Sequence, residues 1–356
     1  MSPIAHDRSA HNRSAHNSWV KYTAFGLRIA SELTLPELIP AEPGLVEDMV
    51  IRQVDLSAWR DQLEQANFVM QGERFMFLIP DTAIYAIRGG KEIEVSMLPG
   101  ADPDTVRLFV LGTCMGVLLL QKRVLPIHGS AVVIGGRAYA FVGESGTGKS
   151  TLAAAFRQAG YQMISDDVIA INVTASAAIV YPAYPQQKLG LESLLQLEAL
   201  RENKHVRQRK HVLSLTDGNP VRAQYQDLRR IAGELNKYAV PAVDEFYNDP
   251  LPLGGVFELV SDSPNRESMR EGEPVVVTEQ PLNKLECLHT LLQHTYRRAI
   301  IPRMGLGEWY FDTAARMARK VEGWRLLRDS SFFTASEVVQ RVLELIHKEE
   351  KSYGSH

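Results

Sequence analysis

The sequence predicts an α/β protein in which a smaller β-rich region precedes a larger domain built around a strand–glycine loop–helix unit. Three observations carry this. Residues 18 to about 100 break into short apolar or alternating segments of strand length, separated by Gly and Pro. A helical pattern opens at Asp102-Pro103 and runs to about Lys122, with an N-cap acid followed by proline at the first helical position. Beyond it, Gly143-Glu144-Ser145-Gly146-Thr147-Gly148-Lys149-Ser150 reads G-x-x-x-x-G-K-S.

Taken in order, residues 1–17 hold the repeat Arg-Ser-Ala-His-Asn at 8–12 and 13–17, polar and expected to be disordered. The β-rich domain is expected over 18–122. Its strand segments include Val20–Ile29, Phe75–Pro80, Thr82–Ile87 and Glu92–Met97, with a loop at Leu33–Pro40. Pro126–Ile134 and Arg137–Val142 form two hairpin arms around Gly135-Gly136. The second arm feeds the glycine loop. Thr151–Ala159, rich in helix formers, follows and stops at Gly160.

Each residue type in the loop has a mechanical reason. The glycines let successive N–H groups turn inward, and the helix dipole adds to them, which makes an anion site. Lys149 brings a positive charge to phosphates, and Ser150 offers a hydroxyl to magnesium. Gly143 to Thr151 are therefore the expected nucleotide-binding residues: Gly143, Glu144, Ser145, Gly146, Thr147, Gly148, Lys149, Ser150 and Thr151.

Tyr161–Ile171 is a strand interrupted by Asp166 and Asp167. Two acids inside an apolar segment are costly unless they meet a metal, a cation or a reacting proton, which favours a functional pair over a surface bend. As strand neighbours they should point to opposite faces and do different jobs. His128, at the end of the first hairpin arm, is evenly balanced between a structural and a functional role. Tyr181–Leu189 is a proline-broken loop leading to a helix at about 191–200, and 201–237 is basic, with nine Lys/Arg against four acids. A loop at 249–253, a strand at Gly255–Val260, a charged loop at 262–274, and an amphipathic helix over Asn283–Ala299 follow. A helix and a strand within 312–328 come next, then a closing helix over Ser336–Lys348. The larger domain spans 123–348, and 349–356 is a frayed tail.

Composition narrows the classes. The 356 residues are 45% hydrophobic and carry a net charge of −3, which argues against nucleic acid as partner. Cys114 and Cys287, far apart, form no metal-ligand pattern. The apolar stretch Leu108–Leu120, about thirteen residues, is too short for a bilayer and reads as a buried helix. With no secretory signal pattern at the N-terminus, a cytoplasmic protein is expected.

The spacing around the loop is more selective than the loop. His128 lies 21 residues before Lys149, and Asp166 and Asp167 lie 17 and 18 after it. With His128-Gly129-Ser130-Ala131, the Gly143–Ser150 run and the Asp pair, residues 125–171 resemble the bacterial HPr kinase/phosphorylase family. The resemblance implies a phosphoenolpyruvate-carboxykinase-like P-loop kinase fold and dependence on ATP and Mg²⁺. It makes Asp167 the base for a serine hydroxyl, with Asp166 positioning the metal. His128 tunes the carboxylates and Lys149 stabilises the transferring group. Ser150 and Asp166 are implied as metal ligands, and Glu192, 43 residues after Lys149, as a replacement for a second metal carboxylate. The family's usual Glu after Lys-Ser is Thr151 here, and Pro185-Gln186-Gln187-Lys188-Leu189 stands where its later signature belongs. Tyr22–Leu38, the Pro-Gln-Gln-Lys-Leu stretch and Lys237-Tyr238 are similar to HPr-kinase-like proteins of lasso-peptide clusters. That likeness implies phosphorylation of the C-terminal serine of a precursor peptide, and the parent family implies a homo-oligomer. HPr or another carrier protein, a small hydroxylated metabolite, and a non-catalytic nucleotide sensor are the other readings.

Overall fold

The alternating segments before residue 100 pair into one sheet. The computed structural model describes residues 19–42, 44, 46–201, 228, 231, 237–262, 277–329 and 333–353. The expected tail at 1–17, most of the basic 201–237 segment and nearly all of the 262–274 loop lie outside the described residues.

Strands β1 (Val20–Ala24) and β2 (Leu27–Ser31) form a hairpin turning at Phe25-Gly26. With β3 (Ile39–Pro40), β4 (Met49–Gln53), β5 (Val69–Gln71), β6 (Arg74–Ile79), β7 (Ala83–Arg88) and β8 (Glu92–Met97) they make an eight-stranded sheet in the order β3-β1-β2-β4-β8-β7-β6-β5. One face packs on the helical segment that starts at Pro103, where Asp102 caps the N–H groups of Asp104 and Thr105 as expected. The other face is covered by Leu56 and by Leu63 of a short helix, Arg60–Glu64.

The apolar helix differs from its expected form in two ways. It runs Pro103–Gln121 with a π-helical turn at Val110–Cys114, and its nineteen residues are long and apolar enough to cross a membrane by length and composition. Every residue from Val110 to Leu120 is buried in the protein, so its apolar length is accounted for by the core.

The second region is layered around β9 (Leu125–Ile134), β10 (Arg137–Val142), β16 (Leu251–Asp262) and β18 (Glu322–Asp329). β10, β16 and β18 run parallel, and β9 is antiparallel to β10. The N-terminal half of β9 pairs with β12 (Val168–Val173), and its C-terminal half with β11 (Gln162–Ser165). β12 pairs with β13 (Ala178–Tyr181), which returns to β16. Length allows this: β9 and β16, at 10 and 12 residues, each serve two sets of neighbours. β17 (Thr278–Pro281) closes the edge against β18.

Helices Lys149–Gln158 and Ala335–Tyr353 bury Leu152, Phe156, Val338 and Val342 against one face of this sheet. Helices Lys284–Gln293 and Gly307–Lys320 bury Cys287, Leu291, Ala314 and Met317 against the other. Three boundaries move. The helix expected to reach Ala299 ends at Gln293, stopped by the extended segment at Thr295 and a left-handed Arg297. Strand β16 begins inside the expected loop, at Leu251, and the closing helix continues to Tyr353. Pro185–Leu189 does not stay a loop. Its residues enter β14 (Gln186–Gly190), which pairs with β15 (Lys237–Pro241) in a two-stranded ribbon.

The two regions share a core. The cluster under the first sheet includes Val168, Ala170, Ala183 and Tyr184 from the second region. Phe25 donates its N–H to the Pro182 carbonyl at 2.7 Å and meets Tyr184 edge to face. Gly26, at φ +72°, lies so close to the Tyr181 ring that a Cβ there would sit 2.6 Å from it.

Candidate active site

The glycine loop joins β10 to the helix Lys149–Gln158, as its flanks require. Gly143 adopts φ +150°, and a Cβ there would come within 2.5 Å of the Leu259 carbonyl oxygen on β16. Only glycine lets the strand pass so close to its neighbour while turning away from it. Thr147 closes the loop by donating its hydroxyl to the Glu144 carbonyl at 2.8 Å. Lys149 is buried, and its ammonium donates to the carbonyls of Gly143 and Glu144 at 2.9 and 3.0 Å. Burial lowers the Lys149 pKa, against the pull of Asp166 and Asp167. Glu144 and Ser145 are exposed on the loop's rim.

Asp166 and Asp167 occupy the break between β11 and β12, not a continuous strand. Asp167 is left-handed at φ +71°, a conformation unusual for a residue with a side chain. Here the sequence expectation of opposite faces gives way to a tight turn that brings both carboxylates to one site with different partners. Asp166 accepts from the Ser130 hydroxyl at 2.6 Å and the Lys188 N–H at 2.9 Å, and the nearby Ser150 hydroxyl also favours its charged form. Burial raises its pKa, and those hydrogen bonds oppose the rise. Asp167 meets the Lys188 ammonium at 2.7 Å and lies 3.5 Å from Nδ1 of His128. Burial would raise its pKa too, but Lys188 and His128 hold it below the usual carboxylate range. The two neighbours are thus driven apart, the pattern expected where carboxylates take different roles.

Nδ1 of His128 lies 3.0 Å from the Asp167 carbonyl oxygen. A neutral ring must donate there, so Nδ1 carries the proton and Nε2 is left as an acceptor. Burial, with Lys149 nearby, lowers the His128 pKa against the opposing effect of Asp167.

The sequence reading missed Lys188 and Arg328. Lys188 sits on β14, where alternation buries Gln187 and Leu189 and leaves the lysine to face the carboxylates. Gln187, fully buried, donates to the Ser150 carbonyl at 3.0 Å and accepts from Arg157, which ties the ribbon to the loop helix. The signal was present as a lone lysine in an alternating run, but its strand partner is about fifty residues away. Arg328, on β18, donates to the Thr147 carbonyl and stands beside Gly148, and its buried Nε has no protein partner among the described residues. Nothing local to Arg328 marks it; parallel pairing of β16 with β18 puts it there.

A cavity of about 140 Å³ opens beside Gly146, Gly148 and Thr151, with Arg328, Phe333 and Val338 across it. Glu192 lines this cavity, as does Ser193, whose hydroxyl lies 2.8 Å from that of Thr151. Among the described residues no three His, Cys, Asp or Glu side chains are grouped so as to hold a metal ion. The helix from Leu191 carries Glu192 to the Thr151 side, where it lines the cavity, and it forms no metal-holding group with Asp166 and Asp167. Ser150 stands near enough to Asp166 to favour its ionised form. That pair of hard oxygens suits magnesium, which keeps several waters and takes the rest of its shell from phosphate.

No family model matches the chain, and no curated protein matches it. Among solved structures it is similar to the HPr(Ser) kinase/phosphatase from Coxiella burnetii, at 11% identity and a TM-score of 0.28, over 65% of this chain and 99% of that one. At that identity and score the likeness decides nothing about activity; the side chains must do so.

Proposed function

We propose that the protein is an ATP- and magnesium-dependent kinase that transfers the γ-phosphate to a serine hydroxyl of a peptide. The observation that carries this reading is the convergence of the glycine-loop helix with the Asp166–Asp167 turn on β14, where Gln187 bonds the Ser150 carbonyl and Lys188 bonds both carboxylates. A site that only bound nucleotide would have no use for a second buried carboxylate held ionised beside it.

The roles follow from the partners. Loop N–H groups and the helix N-terminus receive phosphate oxygens. Lys149, now bonded to loop carbonyls, turns to the transferring group, and Arg328 braces the loop from behind. The cavity beside Thr151, partly apolar and edged by Arg328, is placed to take the nucleoside. Magnesium, held by Ser150 and Asp166, would supply neutralisation of phosphate charge. The serine oxygen attacks the γ-phosphorus, the bond to the β-phosphate oxygen breaks, ADP departs, and the serine proton passes to Asp167. Lys188 keeps Asp167 ionised until then.

The acceptor we favour is the C-terminal serine of a lasso-peptide precursor, and the compartment we favour for an ATP-dependent reaction is the cytoplasm. The test is mass spectrometry of such a peptide incubated with protein, ATP and Mg²⁺. A phosphate-sized gain is expected, reduced roughly 10²–10⁴-fold in rate by Asp167→Asn and similarly by Lys149→Ala. A peptide left untouched by a protein that binds ATP would remove this acceptor and move HPr-like carriers and hydroxylated metabolites to the front.

A further inference from the structure

Beyond helix Lys284–Gln293 the chain crosses the site and leaves a set of arginines beside it. Tyr296 donates its N–H to the Pro126 carbonyl at 2.8 Å, and its ring centroid lies 5.8 Å from that of His128. The ring is seated on the apolar helix, where a Cβ at Gly116 would fall 2.6 Å from it. The next residue, Arg297, is held left-handed at φ +55°. Its guanidinium donates to the Thr113 hydroxyl at 2.7 Å and lies 5.4 Å from the Tyr296 ring centroid. Two short 3-10 turns, Arg298–Ile300 and Pro302–Met304, then present Arg298 and Arg303 at the surface. Arg123, also left-handed, stacks 5.3 Å over the Trp309 ring.

The two turns and Trp309, under Arg298, Arg303 and Arg123, pack on a buried base of Leu120, Ile301 and Leu306. Arg28, Arg74, Arg107, Arg157, Arg325 and Arg341 each have a carboxylate partner. Among the described residues, Arg123, Arg297, Arg298 and Arg303 have none within ion-pair distance, and Glu308 is the one acid between Tyr296 and Trp309. Arg123 and Arg297, laid on aromatic rings, are held with N–H edges free of the ring face, in the fork geometry that matches a carboxylate. Holding these two beforehand also lowers the entropy lost on binding.

We propose that this arginine arc docks the acceptor peptide through its carboxylates and aims its hydroxyl past Tyr296 toward Asp167. The inference rests on the kinase reading for its direction, and its test does not. The carboxylates can come from acidic side chains or from the peptide C-terminus. Fluorescein-labelled serine peptides of three kinds separate these: a glutamate run with an amidated end, a glutamine run with a free carboxylate, and a glutamine run with an amide. Anisotropy without nucleotide, on the full chain, reads binding alone.

One or both carboxylate-bearing peptides should bind, and the neutral one should not. Arg298→Glu with Arg303→Glu should weaken binding about tenfold or more, with Arg298→Gln/Arg303→Gln intermediate. Both positions are exposed, and ATP affinity measured on the same variants reports whether the fold is intact. Equal binding to wild type and the reversed variant, no preference for carboxylates, or tighter binding of duplex DNA than of any peptide would overturn the docking surface. Carboxylate-dependent binding without phosphate transfer would leave it standing and remove the peptide as the acceptor of the kinase reading. Transfer with an unaltered KM for peptide in the reversed variant would do the opposite.

Discussion

At Asp167 burial and charge oppose each other, and charge wins. The carboxylate is largely enclosed, so removing Lys188 leaves a buried anion without its cation. Lys188→Met should cost about 3–5 kcal/mol in urea unfolding at neutral pH, and adding Asp167→Asn should recover much of it. The sign of the pH dependence follows from the lowered folded-state pKa. The stabilisation is whole above the ordinary Asp range and fades as pH falls through about 4 toward the folded value. The stability gap between wild type and Lys188→Met should therefore shrink on acidification. A gap of the same size at roughly pH 3 would show that the ion pair is not its source.

At the scale of elements, the site is an arrangement of strand ends. β10 supplies the loop, β9 supplies His128 and Ser130, the β11–β12 turn supplies the acids, β14 supplies Lys188, and β18 supplies Arg328. Arg328 is the strut between the last of these strands and the loop. Arg328→Met keeps bulk while removing a hydrogen bond from a charged donor to Thr147, an interaction of about 1.5–3 kcal/mol. Calorimetry should find ATP binding weakened about tenfold or more, with thermal unfolding changed much less. Unaltered affinity would mean that the loop holds its shape without β18.

For the whole molecule, the shared core argues against two independently stable units. Val168, Ala170 and Tyr184 lie in the same cluster as the first sheet, and Phe25 is fully enclosed at the joint. Heating should give one cooperative transition. Phe25→Ala should lower stability by about 3–5 kcal/mol and shift the melting of both regions together, read by near-UV signals from Trp19 or Trp59 on one side and Trp324 on the other. Two separated transitions would show that the regions fold apart.

Local chemistry was legible wherever it repeats within a turn or two of chain. The Gly143–Ser150 loop, the Asp102 cap, the Gly135-Gly136 hairpin and the stop at Gly160 can be read because steric and hydrogen-bonding demands act on adjacent residues. The sequence by itself determined that there is a phosphate-type loop between a strand and a helix, that a β-rich region precedes it, and that two acids interrupt a strand after it. Only the tertiary structure decided what surrounds them. It placed Lys188 against Asp167, Arg328 behind Thr147 and Glu192 on the Thr151 side. It also turned the Asp pair out of strand geometry and lodged the apolar helix in a core common to both regions. Those outcomes depend on pairings such as β14 with β15 and β16 with β18, between segments tens of residues apart. A spacing pattern carries no information about which distant strand will lie alongside, because burial and ladder hydrogen bonds select that partner only when the chain folds.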